Sequence, residues 1–185
     1  MVQMMHLLRR GIDLNLYVPE EAVEGVRQFL NTCYLSPDTI SFRIRLHPVA
    51  GKFKFEHDGI IIRAYPNRHL MGNQREIDKL KRPNQMQSFC YVLKIGEKKI
   101  VYSGDIASSD DLADIVEDAN LLITECFHPK LEDLFALITG CRIKSAIFTH
   151  IPADLEGKEE GILIQAKTMG LENLILAYDG LTIAI

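Results

Sequence analysis

The chain has 185 residues, with 21 Lys and Arg against 25 Asp and Glu, and 47% of its residues are hydrophobic. This composition is ordinary for a globular protein and excludes a disordered tail or a disulfide miniprotein. The longest apolar runs are a few residues long, far below the roughly 20 that a membrane-spanning helix needs. A net charge of −4 gives no general attraction to polyanions, although it does not exclude a local basic patch. We expect a single domain over residues 1–185 and no membrane association.

Four cysteines, Cys33, Cys90, Cys126 and Cys141, show no Cys-x-x-Cys spacing. Cys90 and Cys126 each lie among apolar neighbours, which favours buried free thiols in a reducing cytosol. The first ten residues lack the long apolar core and the small-residue cleavage site of a signal peptide. The sequence therefore predicts a cytoplasmic protein.

The first half of the chain predicts helices interleaved with short strands. Apolar residues at helical spacing predict helices over residues 2–10 and 20–34. Alternation of apolar with polar residues predicts strands, which we expect to pair as antiparallel hairpins, over residues 14–18, 42–46, 53–55 and 60–65. The polar segment 66–87 shows neither pattern, which predicts a functional or a disordered loop.

The second half predicts a hairpin followed by alternating helices and strands. Residues 89–95 and 99–102 flank a turn at Gly96-Glu97-Lys98. Helices are then predicted over 109–119, 130–138 and 159–169, and strands over 121–124, 145–149 and 174–178. This alternation is typical of α/β layers, so the fold class is α/β with an α+β beginning.

Three side chains that could bind a metal follow predicted strands. His69 follows the strand that ends near Tyr65, Asp105 follows 99–102 through Gly104, and His150 follows 145–149. Side chains at strand ends project into a shared crevice, and imidazoles with a carboxylate suit zinc, manganese or iron. Each residue also has a plain structural interpretation. Asp105 could be a helix-approach cap, His69 a loop residue, and His150 a hydrogen-bonded histidine at a strand end.

Four short motifs in order resemble the metallo-β-lactamase-fold hydrolases, closest to the ribonuclease Z and phosphodiesterase branch. They are the segment from Gln87 through Gly104-Asp105, Leu121-Leu122-Ile123-Thr124-Glu125-Cys126, Ile147-Phe148-Thr149-His150-Ile151, and Leu176-Ala177-Tyr178-Asp179-Gly180. The resemblance covers about residues 60 to 185. It implies a metallo-β-lactamase αββα sandwich, of which this chain resembles the later two-thirds.

The resemblance also implies roles for particular residues. His69 and His150 would each bind one of two metal ions, which would be zinc, manganese or iron, and Asp105 would bridge them. Glu125 would assist proton transfer to the leaving group together with a histidine, for which His128 is the candidate. The alternative for His128 is a residue at a helix start, because Pro129 follows it directly.

One part of the family pattern is missing from the sequence. The His-x-His-x-Asp-His stretch that supplies most metal ligands of the family occurs nowhere in it. By resemblance it would lie just before the helix over 2–10, so we expect that the chain begins immediately downstream of it. The remaining ligands fall short of the three or four that a catalytic site usually has, and we expect weak or absent metal binding.

Two functions from different classes remain. The first is a metal-dependent hydrolase of phosphodiesters or related esters that is truncated and therefore inactive or impaired. The alternative is a metal-free pseudoenzyme that acts as a binding or oligomeric structural module. Loss of the leading strands would expose apolar sheet surface, which predicts a homodimer or association with another chain. The basic segment from Arg68 to Arg82 could contact substrate phosphates or be a solvated loop, so nucleic acid stays an open partner.

Overall fold

The computed structural model describes residues 1–36, 38–155 and 157–184. This part of the chain forms five α-helices: α1 (Val2–Leu7), α2 (Val23–Thr32), α3 (Gln74–Leu80), α4 (Leu131–Gly140) and α5 (Glu159–Thr168). Its strands are β1 (Leu14–Pro19), β2 (Ile44–Val49), β3 (Lys54–His57), β4 (Ile60–Pro66), β5 (Phe89–Ile95), β6 (Lys98–Tyr102), β7 (Leu121–Glu125), β8 (Ala146–Thr149) and β9 (Leu174–Leu176). None of the helices in these ranges has the length and apolar character that crossing a membrane requires.

Seven strands form one large sheet in the order β3-β4-β5-β6-β7-β8-β9. The pairs from β3 to β6 are antiparallel, whereas β6 to β9 are parallel. Tight turns join β3 to β4 and β5 to β6, and Gly59 and Gly96 occupy these turns with positive φ values of 77° and 55°. Parallel strands need longer connections: residues 103–120 join β6 to β7, whereas α4 joins β7 to β8 and α5 lies between β8 and β9. The prediction of hairpins followed by α/β layers is confirmed for this sheet.

A second sheet consists of β1 and β2, which run parallel to each other. Helix α2 packs on one side of it, where Leu30 shares a small pocket with Ile44 and Leu46. On its other side, the Tyr17 ring lies 5.6 Å from that of Phe53, which precedes β3 of the large sheet. Helices α4 and α5 cover the far face of the large sheet. The layers therefore follow the αββα order expected of a partial metallo-β-lactamase sandwich.

The two faces of the large sheet are buried to different extents. On the face under α4 and α5, Val101, Leu122 and Phe148 have no solvent exposure, and Phe148 stacks on Phe135 with ring centroids 5.9 Å apart. The face toward β1 carries a cleft of about 440 Å³, whose lining includes Tyr91, Leu93, Tyr102 and Ile123 from the large sheet. The helix-covered face therefore holds the main core.

Three local predictions are wrong. The strands β1 and β2 pair in parallel, because α2 connects them and returns the chain to the same end of the sheet. The predicted loop 66–87 contains a 3-10 helix over His69–Asn73 and then α3, which ends at Lys81 in a left-handed conformation.

The third wrong prediction is the helix over 109–119. Only Ser109–Leu112 is helical there, as a 3-10 turn. The apolar residues of this segment are buried as a helix would bury them, but amides such as those of Ile115 and Ala119 bond to carbonyls three residues back. Asp118 then turns the chain with a φ of 55°, and its amide bonds to the Cys141 carbonyl.

Candidate metal centre

Polar side chains collect at one edge of the large sheet. Strands β4, β6, β7 and β8 all point the same way, because β4 and β6 are both antiparallel to β5 and the others are parallel to β6. His69, Asp105 and His150 follow β4, β6 and β8, and Glu125 is the last residue of β7. The carboxyl ends of these strands thus bring the predicted residues to a common crevice.

Asp105 lies between two imidazoles. Its Oδ2 is 3.9 Å from Nε2 of His69, and its Oδ1 is 3.5 Å from Nδ1 of His150. The Asp105 side chain is 49% exposed, and no hydrogen bond within the described residues occupies either of its carboxylate oxygens. With an imidazole nitrogen on each side, the Asp105 carboxylate is placed where it could coordinate a metal ion together with either histidine.

The backbone at two positions is specialised for this arrangement. Gly104 has a φ of 59°, and a Cβ there would lie 3.3 Å from the Phe89 carbonyl oxygen, so the turn before Asp105 favours glycine. His150 has a φ of 48°, in the left-handed region that non-glycine residues rarely adopt. Such strain collects at functional sites, where the surrounding structure holds a side chain in place.

Glu125 is a buried carboxylate with all of its acceptor capacity in use. It is 2% exposed. Its Oε1 accepts hydrogen bonds from the Ile106 amide at 2.8 Å and from Nδ1 of His128 at 2.7 Å. Its Oε2 accepts hydrogen bonds from the amides of Phe127 at 3.0 Å and His128 at 2.9 Å. These four hydrogen bonds tie the loop after β6 to the loop after β7.

The hydrogen bond to Glu125 fixes the role of each ring nitrogen in His128. A carboxylate oxygen accepts hydrogen bonds, so this contact suits the His128 tautomer with the proton on Nδ1, and Nε2 is the ring nitrogen outside this hydrogen bond. The His128 ring centroid lies 4.7 Å from that of His69 and 5.8 Å from that of His150. Phe127, half exposed, stacks on His150 with centroids 4.8 Å apart. Three imidazoles therefore share this crevice.

These residues fit a divalent metal in donor chemistry. The ligand atoms of His69, Glu125 and His128 all lie within 4.8 Å of one another. Since both Glu125 oxygens are already engaged, Asp105 is the carboxylate left to coordinate. Imidazole nitrogen with carboxylate oxygen is a donor set suited to zinc and to other transition metals.

The structure brings together every residue singled out by the sequence: His69, Asp105, Glu125, His128 and His150. Sequence reasoning missed Asn67 and Asp111. Asn67 immediately follows β4, so the strand-end signal that identified the others could also have found it. Asp111 lies in the segment predicted to be helical, where an acidic residue on the helix surface would be ordinary and would not indicate a functional site.

Arg68 pairs with an acidic residue. Its Nε donates to Oδ1 of Asp111 at 2.7 Å, and its terminal nitrogen donates to the Ser108 hydroxyl at 3.2 Å. Burial of Asp111 raises its pKa, but hydrogen bonds from Arg68 and from the Ala107 amide outweigh this and hold the pKa of Asp111 below its usual value. The pair joins the loop after β4 to the loop after β6.

The chain is similar in sequence to a known family and to two curated proteins. The family model described as "Beta-lactamase superfamily domain" matches residues 2–151. Ribonuclease Z of Pyrococcus abyssi is 23% identical over 168 residues, covering 72% of this chain and 53% of the relative. Ribonuclease Z of Pyrococcus furiosus is 22% identical over 204 residues, covering 80% and 62%. The chain thus spans between half and two-thirds of the length of these relatives.

Solved structures share the fold. The metallo-β-lactamase fold protein YhfI of Bacillus subtilis superposes with a TM-score of 0.70 at 17% identity, covering 97% of this chain and 67% of that one. The short form of human tRNase Z gives a TM-score of 0.66 at 14% identity, covering 100% and 73%. The match of the family model over most of the chain, together with these relatives, shows that the chain belongs to the metallo-β-lactamase superfamily, on its ribonuclease Z-like side.

Proposed function

We propose that this chain carries the site of a metal-dependent hydrolase that acts on a phosphodiester or a related ester. The observation that supports this most directly is the Asp105 carboxylate with Nε2 of His69 at 3.9 Å and Nδ1 of His150 at 3.5 Å. Relatives are named for the hydrolysis of phosphorus–oxygen bonds: two are named ribonuclease Z, and one solved neighbour is described as a diphosphatase.

His69, Asp105 and His150 are the proposed metal ligands, and the metal is zinc, manganese or iron. A divalent metal held by these residues would polarise the scissile ester and lower the pKa of a water molecule. Because the sequence has no His-x-His-x-Asp-His stretch, we propose that this chain alone binds metal weakly and that its activity is correspondingly impaired.

Glu125 and His128 are the proposed proton-transfer pair. Glu125 touches His128 and three backbone amides, so it acts by holding Nδ1–H of His128 in one orientation. Nε2 of His128 is then the atom that carries a proton in the imidazolium form. Transfer of that proton to the leaving-group oxygen would avoid expelling an alkoxide.

The cations available to a substrate phosphate lie in and after α3. Arg75, Lys81 and Arg82 are exposed there, and Lys79 is exposed beside Glu76 at 3.8 Å, whereas Arg68 is already paired with Asp111. We propose that this basic segment contacts substrate phosphates, arginine through paired hydrogen bonds and lysine as a point charge.

Hydrolysis of bis(4-nitrophenyl) phosphate tests the proposal. The chain is stripped of metal with a chelator and assayed with and without added Zn²⁺ or Mn²⁺. We expect slow hydrolysis that requires metal and that falls at least about tenfold in Asp105→Asn, since this change removes the charge that both histidines face. His57→Ala, on the exposed end of β3, is the control and should keep the wild-type rate.

Hydrolysis that is independent of metal, or equal in Asp105→Asn and the wild type, would contradict the proposal. Absence of both hydrolysis and metal binding would favour the metal-free binding module instead.

A further inference from the structure

We propose that Asn67 and the Arg68–Asp111 pair form a positioning clamp that fixes the loop of His69 relative to the loop of Asp105, so that both side chains could bind a divalent metal. This inference rests on the proposed function, because it concerns the affinity of the same site. These residues act through His69 and Asp105 and are not proposed to touch the metal or the substrate.

The two ligands need such a connection because their strands are not neighbours. His69 follows β4 and Asp105 follows β6, and β5 lies between these strands in the sheet. The ladder hydrogen bonds of the sheet therefore do not join the two loops directly. Any fixed distance between His69 and Asp105 depends on contacts made beyond the strand ends.

Asn67 bridges this gap. It is 8% exposed. Its Oδ1 accepts the amide of His69 at 3.1 Å, and its Nδ2 donates to the carbonyl oxygen of Asp105 at 3.1 Å. Its own amide donates to the Ser88 carbonyl at 2.9 Å, just before β5. One buried amide side chain is thus bonded to the backbone of both ligands and is anchored to the strand between them.

The Arg68–Asp111 pair is a second connection between the same loops. The Asp111 side chain is 3% exposed, and its carboxylate accepts Nε of Arg68 at 2.7 Å and the Ala107 amide at 2.9 Å. Arg68 immediately precedes His69, and Ala107 lies two residues after Asp105. This charge-assisted hydrogen bond, like those of Asn67, restrains the distance between the loop after β4 and the loop after β6.

Residues that orient metal ligands characteristically change metal affinity by about 10- to 100-fold when they are replaced. Asn67→Asp keeps the shape of the side chain but places an oxygen against the Asp105 carbonyl in place of a donor. We expect its dissociation constant for Zn²⁺, measured by competition with a chromophoric chelator, to rise by about tenfold or more. Asp111→Asn keeps its shape but loses the charge facing Arg68, and we expect a smaller rise of several-fold.

Melting temperatures with and without metal distinguish a residue that only stabilises the fold from one that positions the metal ligands. Each variant is melted without metal and with saturating Zn²⁺, and circular dichroism first establishes that it is folded at the temperature of the affinity measurement. Positioning predicts that the metal-induced rise in melting temperature shrinks in Asn67→Asp. Asn31→Asp, on the exposed surface of α2, is the matched control and should retain the wild-type rise.

A lower melting temperature with an unchanged metal-induced rise and unchanged affinity would overturn the clamp and leave the proposed function intact. If Asn67→Asp does not fold, folded Asp111→Asn decides, and an affinity equal to that of the wild type overturns the clamp. If the wild type itself binds no Zn²⁺ or Mn²⁺, the metal-dependent function and the clamp both fail.

Discussion

The two faces of the large sheet are built from the same strands but differ in what covers them. In β6 and β7, Val101 and Leu122 point toward α4 and α5 and are fully buried, whereas Tyr102 and Ile123 point toward the cleft. Tyr102 is 45% exposed there. Since side chains alternate along a strand, adjacent residues enter a packed core and a partly open surface. Stability should therefore depend mainly on the helix-covered face, while the candidate site uses the carboxyl edge of the sheet.

The largest difference between the faces should appear on truncation of an aromatic residue. Phe148→Ala removes a fully buried ring that stacks on Phe135, and we expect a loss of about 3–5 kcal/mol in the free energy of unfolding. Tyr102→Ala removes a ring of similar size from the cleft and should cost about 1 kcal/mol or less. Urea unfolding measures both values. Equal losses would show that the cleft face contributes as much as the core.

A smaller effect is expected where a buried polar group joins the loops at the sheet edge. Glu125→Gln replaces a carboxylate oxygen with an amide that faces hydrogen-bond donors on both sides. At least one buried donor then lacks a partner, which costs about 1–3 kcal/mol. Glu97→Gln, in the exposed turn between β5 and β6, is the control and should change the free energy of unfolding by less than about 0.5 kcal/mol.

The stability of Glu125→Gln also tests whether Glu125 orients the His128 ring. If Glu125→Gln is as stable as the control, the four hydrogen bonds do not hold the loops, and the orientation of His128 loses its physical basis.

Association tests whether the cleft face is covered in solution. The sequence predicts a homodimer or a complex with another chain, and this stays a prediction. If copies of the chain pair through this face, light scattering should give twice the monomer mass at micromolar concentration, and Tyr102→Glu should restore the monomer by placing a charge in the cleft. A monodisperse wild-type monomer would contradict homodimer formation.

Local patterns predicted much of the fold. The strand β5 has the predicted bounds, and β6 to β8 differ from their predictions by a residue at an end, because period-two or continuous apolar patterns reflect burial directly. The parallel pairing of β1 with β2 depends on contacts between distant segments. Helical spacing over 109–119 correctly indicated a buried side but not the 3-10 hydrogen bonding that forms it.

The candidate site was predictable to the extent that its residues follow strands. Asp105 and His150 were identifiable because a sheet gathers the residues at its carboxyl edge. The hydrogen bonds of Asn67, and the pairing of Arg68 with Asp111 43 positions away, are long-range contacts that spacing along the chain does not encode. The basic character of Arg68 was compatible with a substrate contact or with a solvated loop, whereas its guanidinium is paired with a buried acid.

His69, Asp105 and His150 are expected to bind a divalent metal at this edge of the sheet. Thermal unfolding of the metal-free chain, with and without Zn²⁺ or Mn²⁺, tests it most directly. We predict a metal-dependent rise in the melting temperature of the wild type that is lost in His69→Ala and in Asp105→Ala and is kept in His57→Ala. No rise in the wild type, or an equal rise in all four proteins, would contradict it.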